Sequence, residues 1–224
     1  MTDVLVRAEG LSRVFGHGES AVTAIADATF EVREGDRIAL IGPSGSGKSS
    51  LLHLIAGLDV PSGGVIEWPA IGQREDLRPG PVALAFQGPS LLPPLTVAEN
   101  VALPGLLAGR PDRVATTAAQ ALIERLGLSD VAGKLPEEIS GGQAQRAGMA
   151  RALASGPRLV LADEPTGQLD RKTAAELMDV LIDQVASTGA SLIVATHDDA
   201  VVERLTLRWT MNDRRLETGT PCSL

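Results

Sequence analysis

Eight consecutive residues form a pattern that is suited to binding phosphate groups. Gly42-Pro43-Ser44-Gly45-Ser46-Gly47-Lys48-Ser49 matches G-x-x-x-x-G-K-[ST] and lies between a strand-like run and a helix-like run. Glycines let successive N–H groups point at one anion, and the helix N-terminus adds its dipole. The lysine supplies a full positive charge, and the serine after it places a hydroxyl where a phosphate-bound Mg²⁺ would sit. The segment predicts a nucleotide phosphate site formed by Gly42, Ser44, Gly45, Ser46, Gly47, Lys48, Ser49 and Ser50.

Two adjacent acids follow an apolar run at residues 159–162, in the order Asp163-Glu164-Pro165. The carboxyl end of a buried parallel strand is the edge at which open α/β sheets bind ligands. In phosphoryl transfer one acid can hold Mg²⁺ and the next can orient or deprotonate the attacking water. We assign Asp163 to the metal and Glu164 to the water. Taken alone, this short stretch is equally compatible with two solvated acids that close a strand.

A second glycine-bearing turn occurs at Ser140-Gly141-Gly142-Gln143. S-x-x-Q is an ordinary capping box for a helix N-terminus. Such a box does not need two glycines, each of which costs a helix about 1 kcal/mol. Glycines here indicate that another group approaches the backbone closely, and we predict a second anion-binding helix N-terminus.

The elements that must position these groups alternate between short apolar runs and longer helix-period stretches. This alternation is typical of an α/β domain with a mostly parallel sheet. The predicted strands are 38–41, 82–86, 159–162 and 191–195, with a short β excursion around Val65 and Ile66. The predicted helices are 49–56, 113–126, 143–154 and 173–186, and a capping box at Thr96 and Glu99 predicts one more. Residues from about 89 to 156 form a helical insertion.

Composition limits the classes of function. The chain has 224 residues, 44% of them hydrophobic, and a net charge of −8, so one globular domain is expected and broad nucleic-acid binding is disfavoured. Its apolar runs fall short of the roughly 18 residues that a membrane helix needs. Cys222 is the one cysteine, and the N-terminus lacks the apolar core of a signal peptide. We expect a cytoplasmic location.

The order of the motifs resembles the ATP-binding cassette of ABC transporters over nearly the whole chain. The resemblance rests on residues 42–49, Gln87, 140–143, Asp163-Glu164, Leu169-Asp170 and His197. It implies a P-loop NTPase (RecA-like) core with a mostly parallel sheet, a small antiparallel β region and a helical subdomain. The whole chain, 1–224, would be one ATPase domain, with its core at about 1–88 and 157–224 and its helical subdomain at about 89–156.

The resemblance also implies roles for single residues. Two cassettes sandwich two ATP molecules, so Ser140, Gly141, Gly142 and Gln143 of one copy would contact ATP held by the other. Gln87 would contact the metal and the attacking water, His197 would bind the γ-phosphate, and Asp170 would lie at the dimer seam. Phe15 occupies the position of an aromatic residue that stacks on adenine, and packing in the core is its alternative.

Finer similarity points to the cassettes of macrolide-efflux and lipoprotein-release transporters. It is carried by Gly57-Leu58-Asp59, residues 91–101 and residues 162–167. The implied protein hydrolyses ATP with Mg²⁺, dimerises on ATP and drives a separate membrane permease from the inner face of the cell membrane. An alternative is a cell-division type cassette that regulates a membrane partner without transport.

Two other classes have less support. A nucleic-acid or ribosome-acting cassette conflicts with the net charge of −8. A GTPase conflicts with the absence of any N-K-x-D run, since neither Asn100 nor Asn212 precedes a lysine. The cargo, the direction of transport and the identity of the permease are not encoded in these motifs.

Overall fold

A computed structural model describes residues 3–88 and 90–222. Their strands are β1 (Val4–Phe15), β2 (Val22–Arg33), β3 (Arg37–Ile41), β4 (Gly63–Glu67), β5 (Val82–Ala85), β6 (Leu159–Asp163), β7 (Ser191–Ala195), β8 (Leu207–Asn212) and β9 (Arg215–Pro221). The α-helices are α1 (Lys48–Ile55), α2 (Val97–Leu107), α3 (Asp112–Arg125), α4 (Gly141–Ala154), α5 (Arg171–Thr188) and α6 (Asp199–Val202).

The chain divides into two compact units. The first unit comes from Met1–Leu77 and Ser191–Leu224, and the second is Arg78–Ala190. Pro89, at which the helical subdomain is predicted to begin, lies outside the described residues. The predicted boundaries at about 89 and 156 remain a prediction.

In the first unit, β1 is the centre of an antiparallel region. It pairs on one side with β2, where Phe15 faces Val22, and on the other with β4, where Arg7 faces Glu67. The strand β4 was anticipated around Val65. Residues 68–81 form no strand and carry a short 3₁₀ turn at Arg74–Asp76 instead.

The same unit contains a parallel core around β3. This strand pairs in parallel with β8 and with β7, and Ile38, Ala39 and Leu40 in its middle are completely buried. Strands covered on both faces are apolar at every position, which is why the sequence identified β3 and β7. The long strands β1 and β2 were not identified, because register shifts interrupt the period of two along β1.

In the second unit, β5 and β6 form a parallel pair in which Ala85 faces Ala162. Helices α2, α3 and α4 pack together through apolar side chains that include Val97, Val101 and Ile123. Thr96 caps α2 through the predicted box: its hydroxyl accepts a hydrogen bond from the Glu99 N–H, and the Glu99 carboxylate accepts one from the Thr96 N–H. The predicted helices and strands all occur, with ends that differ by at most a few residues.

Candidate functional site

The predicted phosphate loop connects β3 to α1, and its backbone requires glycine at two positions. Gly42 has φ of +151° and Gly47 has φ of +106°, values that other residues rarely adopt. A Cβ atom on Gly42 would lie 2.4 Å from the Met211 carbonyl oxygen, and one on Gly47 would lie 2.3 Å from the Ala24 carbonyl oxygen. The strands β8 and β2 therefore press against the loop and set its shape.

Two side chains of this loop have capacity for an anion. The Lys48 ammonium donates hydrogen bonds to the Gly42 oxygen at 2.8 Å and to the Pro43 oxygen at 3.1 Å, so it lies across the loop. The Ser46 hydroxyl is buried and has no hydrogen-bond partner among the described residues. A buried hydroxyl without a partner is costly, and a phosphate oxygen would satisfy it. Ser44 and Gly45 are exposed, while Ser49 and Ser50 are half-buried in the first turn of α1.

Phe15 ends β1 and is 43% exposed, so it is not a core residue. The Arg13 guanidinium lies over its ring, 4.3 Å from the ring centre. The Arg13 Nε atom also donates to the Asp59 carboxylate at 2.7 Å. Sequence reasoning did not identify the contact of Arg13 with Phe15 or its ion pair with Asp59. The only local signal was that Arg13 lies two residues before Phe15.

The two acids at the end of β6 have different environments. Asp163 is the last residue of the strand and is 6% exposed. Glu164 has a left-handed backbone, with φ of +48°, and strained backbone of this kind is concentrated at functional sites. The Glu164 carbonyl oxygen accepts hydrogen bonds from the Gln145 side chain at 3.0 Å and from the Gly167 N–H at 3.2 Å.

Gln145 is a supporting residue that the sequence motifs did not reveal. It lies on α4, is 6% exposed and donates to Glu164 through its amide nitrogen. Its amide oxygen accepts from the Gln168 N–H at 3.1 Å. One buried side chain therefore links the helix that begins after Ser140 to the turn that carries Glu164.

The N-terminus of α4 matches the predicted capping box. The Ser140 hydroxyl accepts a hydrogen bond from the Gln143 N–H at 3.2 Å, and the Gln143 side-chain oxygen accepts one from the Ser140 N–H at 2.8 Å. Ser140 and Gly141 are exposed. This helix tip is thus preformed and open to solvent.

Strand registers bring other predicted residues to common edges. In the first unit Leu40 of β3 faces Ala195 of β7, so Gly42 and His197 each lie two residues after one member of this pair. In the second unit Ala85 of β5 faces Ala162 of β6, so Gln87 and Glu164 are matched in the same way. Gln87 and His197 are exposed.

The loop after Gln87 is held by α4. Arg151 donates to the Ser90 carbonyl oxygen and to the Ser90 hydroxyl, both at 2.7 Å. Burial lowers the pKa of Arg151 from its ordinary value. This link was not visible in the sequence, because the two residues are 61 positions apart.

Asp170 is the N-cap of α5. One carboxylate oxygen accepts from the N–H groups of Lys172 at 3.0 Å and Thr173 at 3.1 Å, and the other accepts from the Thr173 hydroxyl at 2.6 Å. These hydrogen bonds, from the Thr173 hydroxyl first, lower the pKa of Asp170. The carboxylate therefore serves its own helix, and its place at a dimer seam stays a prediction.

The predicted site residues are divided between the units. The first unit carries Phe15, the phosphate loop and His197, and the second carries Gln87, Ser140–Gln143, Asp163, Glu164 and Asp170.

Among the described residues, no helix is both long and apolar enough to cross a bilayer.

Comparisons with known proteins agree with these features. The family model described as ABC transporter matches residues 25–167. The lipoprotein-releasing system ATP-binding protein LolD of Gluconobacter oxydans is 42% identical over 218 residues, which are 94% of this chain and 94% of that protein. LolD of Legionella pneumophila (strain Paris) is 39% identical over 212 residues, covering 92% of this chain and 93% of that protein.

Solved structures show the same fold. The dimeric, post-hydrolysis structure of the ATP-binding cassette MJ0796 with ADP and Pi has a TM-score of 0.90 and 30% identity, over 98% of this chain and 100% of that chain. The likeness confirms the predicted fold class, a P-loop NTPase core with helical and antiparallel additions. Because the family model covers more than half of the chain and the relatives cover more than nine-tenths, the chain belongs to the ABC transporter family of ATP-binding proteins.

Proposed function

We propose that this chain is the ATP-hydrolysing subunit of a lipoprotein-release type transporter, closing on ATP as a dimer and driving a separate membrane permease. The observation that carries the proposal is the phosphate loop, whose shape is imposed by neighbouring strands and whose buried Ser46 hydroxyl lacks a partner among the described residues. Lys48 would exchange its two carbonyl contacts for phosphate oxygens, which form stronger, charge-assisted bonds.

Glu164 is the group that we assign to the attacking water. The bonds from Gln145 and Gly167 hold its backbone in the left-handed conformation at the carboxyl edge of β6. From this edge a carboxylate can accept a proton from water while the water attacks the γ-phosphate. His197 would donate a hydrogen bond to the γ-phosphate from the matching edge beside Gly42.

Mg²⁺ fits the available donors. Ser49, Gln87 and Asp163 offer the oxygen ligands that this ion prefers, and Mg²⁺ usually keeps several waters and substrate oxygens as its other ligands. Among residues 3–88 and 90–222, no three His, Cys, Asp or Glu side chains cluster as a metal site of their own, which suits an ion shared with ATP. When bound, the ion would neutralise charge on the phosphates.

A second copy of the chain would complete the site. The tip at Ser140, Gly141, Gly142 and Gln143, whose first two residues are exposed, has N–H groups and a helix dipole for an anion. The MJ0796 cassette, which shares the fold, is dimeric with its nucleotide. We assign the tip to the γ-phosphate held by the partner's phosphate loop, with Asp170 nearby at the seam.

The second unit offers a surface for a membrane partner. A groove of about 350 Å³ is lined by Leu103, Pro104 and Leu107 of α2 together with residues of β5 and the end of α4. Leu107 is 65% exposed, and a permease helix with an apolar face would cover it. Arg151 lines the same groove and holds Ser90 in the loop after Gln87. Docking in the groove would therefore act on this loop. The relatives named LolD support this assignment, and with it a position on the inner face of the cell membrane.

The Glu164→Gln variant tests the proposal. A general base contributes about 10² to 10⁴-fold to a rate, so we expect ATP turnover to fall by about that factor. ATP binding should persist, because the phosphate loop is untouched, and an ATP-dependent dimer should accumulate in size-exclusion chromatography. Turnover is measured by phosphate release.

Glu124→Gln is the matched control, since Glu124 is an exposed acid on α3. It should hydrolyse ATP at the wild-type rate. Wild-type turnover in Glu164→Gln would show that the base is elsewhere. Failure of the wild-type chain to bind ATP would overturn the whole proposal.

A further inference from the structure

The aromatic ring of Phe15 is in contact with a neighbouring cation, the Arg13 guanidinium. Arg13 and Phe15 are two residues apart near the end of β1, where a register shift between Arg13 and Val14 interrupts the regular pairing with β2. The Arg13 guanidinium lies 4.3 Å from the centre of the Phe15 ring. Cations at this distance are attracted to the face of an aromatic ring. One face of the ring is thus occupied, while 43% of the residue remains exposed.

The cation is held firmly by Asp59. The two side chains are joined at 2.7 Å and are each 22% exposed. The second oxygen of the Asp59 carboxylate accepts from the Val60 N–H at 2.8 Å. Both carboxylate oxygens are therefore engaged, and the Arg13 side chain has little freedom to leave the ring.

The turn that carries Asp59 also grips the backbone of β1. Ser62 donates its N–H to the Ser12 carbonyl oxygen at 2.8 Å, and its hydroxyl accepts from the Val14 N–H at 3.0 Å. This turn follows α1, which begins at Lys48, and the Leu58 N–H bonds back to the His53 carbonyl oxygen of that helix at 2.8 Å. The aromatic ring and the phosphate loop are consequently tied together through one short segment.

We propose that Arg13 is a positioning residue for the base of the nucleotide: it covers one face of Phe15 and holds the ring so that adenine stacks on the other. The inference rests on the proposed function, ATP binding and hydrolysis, and on the prediction that Phe15 stacks on adenine. A ring at the exposed end of a strand would otherwise sample several orientations, and pre-orienting it lowers the entropy lost on binding. The guanidinium acts through the ring and makes no contact with the phosphates.

The experiment compares two ligands, ATP and inorganic triphosphate, on the full chain by calorimetry or competition with a fluorescent nucleotide. In Arg13→Met we expect ATP affinity to fall about two- to fivefold, the range given by a cation–π contact at a partly exposed site. Affinity for triphosphate, which has no base, should not change. Arg13→Lys should recover part of the loss. In a Phe15→Ala background, Arg13→Met should have no further effect.

Arg7→Met is the matched control. Arg7 lies on the same strand and forms a comparable pair with Glu31 at 2.9 Å, so its loss removes the same charge. It should leave both affinities unchanged. Equal weakening of ATP and triphosphate in Arg13→Met would overturn the inference in favour of a simple charge effect. Unchanged or tighter ATP binding would also overturn it, since Arg13 would then be idle or would block the base.

If the wild-type chain bound triphosphate but not ATP, or neither ligand, the proposed function itself would fail. That result is distinct from the failures above, which are all judged from the affinity of the Arg13→Met variant relative to that of the wild type. Unfolding curves for each variant confirm that the fold is retained.

Discussion

The two glycine-bearing helix tips of this protein use glycine for different reasons. In the phosphate loop, Gly42 and Gly47 have positive φ, and an added Cβ would strike a backbone carbonyl at 2.4 Å or 2.3 Å. At the start of α4, a Cβ on Gly141 would meet only the end of the Gln168 side chain at 3.0 Å, and one on Gly142 would meet the Leu169 side chain at 3.1 Å. Flexible side-chain ends can move, whereas sheet backbone cannot.

The difference separates what folding needs from what a ligand needs. Gly42 and Gly47 of the phosphate loop are required by the fold, because β8 and β2 leave no space for a side chain at these two positions. Glycines after Ser140 are ordinary helical residues that only lower helix stability. Their presence is explained by something outside the unit that must come close, which in our proposal is the nucleotide of a second copy.

Gly47→Ala should have the largest effect on stability. The substitution forces a side chain into a left-handed position and against the Ala24 carbonyl, so we expect a loss of about 2–4 kcal/mol in the free energy of unfolding and loss of ATP binding. Urea unfolding and calorimetry measure the two. Gly45→Ala is the control, since Gly45 has positive φ but open space around it, and it should lose only about 1–2 kcal/mol. Equal losses of stability in the two variants would mean that the positive φ alone, and not the contact with the Ala24 carbonyl, causes the destabilisation.

Gly141→Ala should separate activity from stability. We expect the free energy of unfolding to stay within about 1 kcal/mol of the wild type, because alanine favours the helix while Gln168 must shift. ATP turnover should fall about ten- to a hundredfold, the loss of one charge-assisted contact across the dimer. Gly148→Ala, in the middle of α4 with open space at its Cβ position, should keep full turnover. Full turnover in Gly141→Ala would show that nothing approaches this tip.

We expect the smallest effect at Asp170, which caps a third helix N-terminus, that of α5. Its pKa is lowered in the folded chain by bonds from Thr173 and Lys172, so its contribution is present above the ordinary aspartate pKa of about 3.9 and is lost as pH falls through the folded value. Asp170→Asn should weaken this acid-dependent loss of stability. Urea midpoints at neutral pH and below about pH 4 measure it, with Asp112→Asn at the start of α3 as control. An unchanged pH profile would show that the cap does not titrate in this range.

Local patterns were sufficient for some parts of the site. The phosphate loop, the two acids at the end of β6 and the caps at Thr96 and Ser140 were predicted, because each is a short stretch of characteristic residue types. The strand β1 was missed, since its register shifts break the alternation on which sequence reading depends. The pairing of Arg13 with Asp59, 46 positions away, is invisible to any local pattern.

The order of residue types along the chain determined the family and predicted the phosphate loop and the role of Glu164 toward the attacking water, because these depend on chemistry within one turn or one strand end. The tertiary structure alone decided which glycines are sterically required, which amide braces Glu164 and which cation covers Phe15. Those outcomes depend on atoms that are distant in sequence and meet only when the sheets and helices have packed. Local sequence spacing does not specify which atoms pack at van der Waals distance.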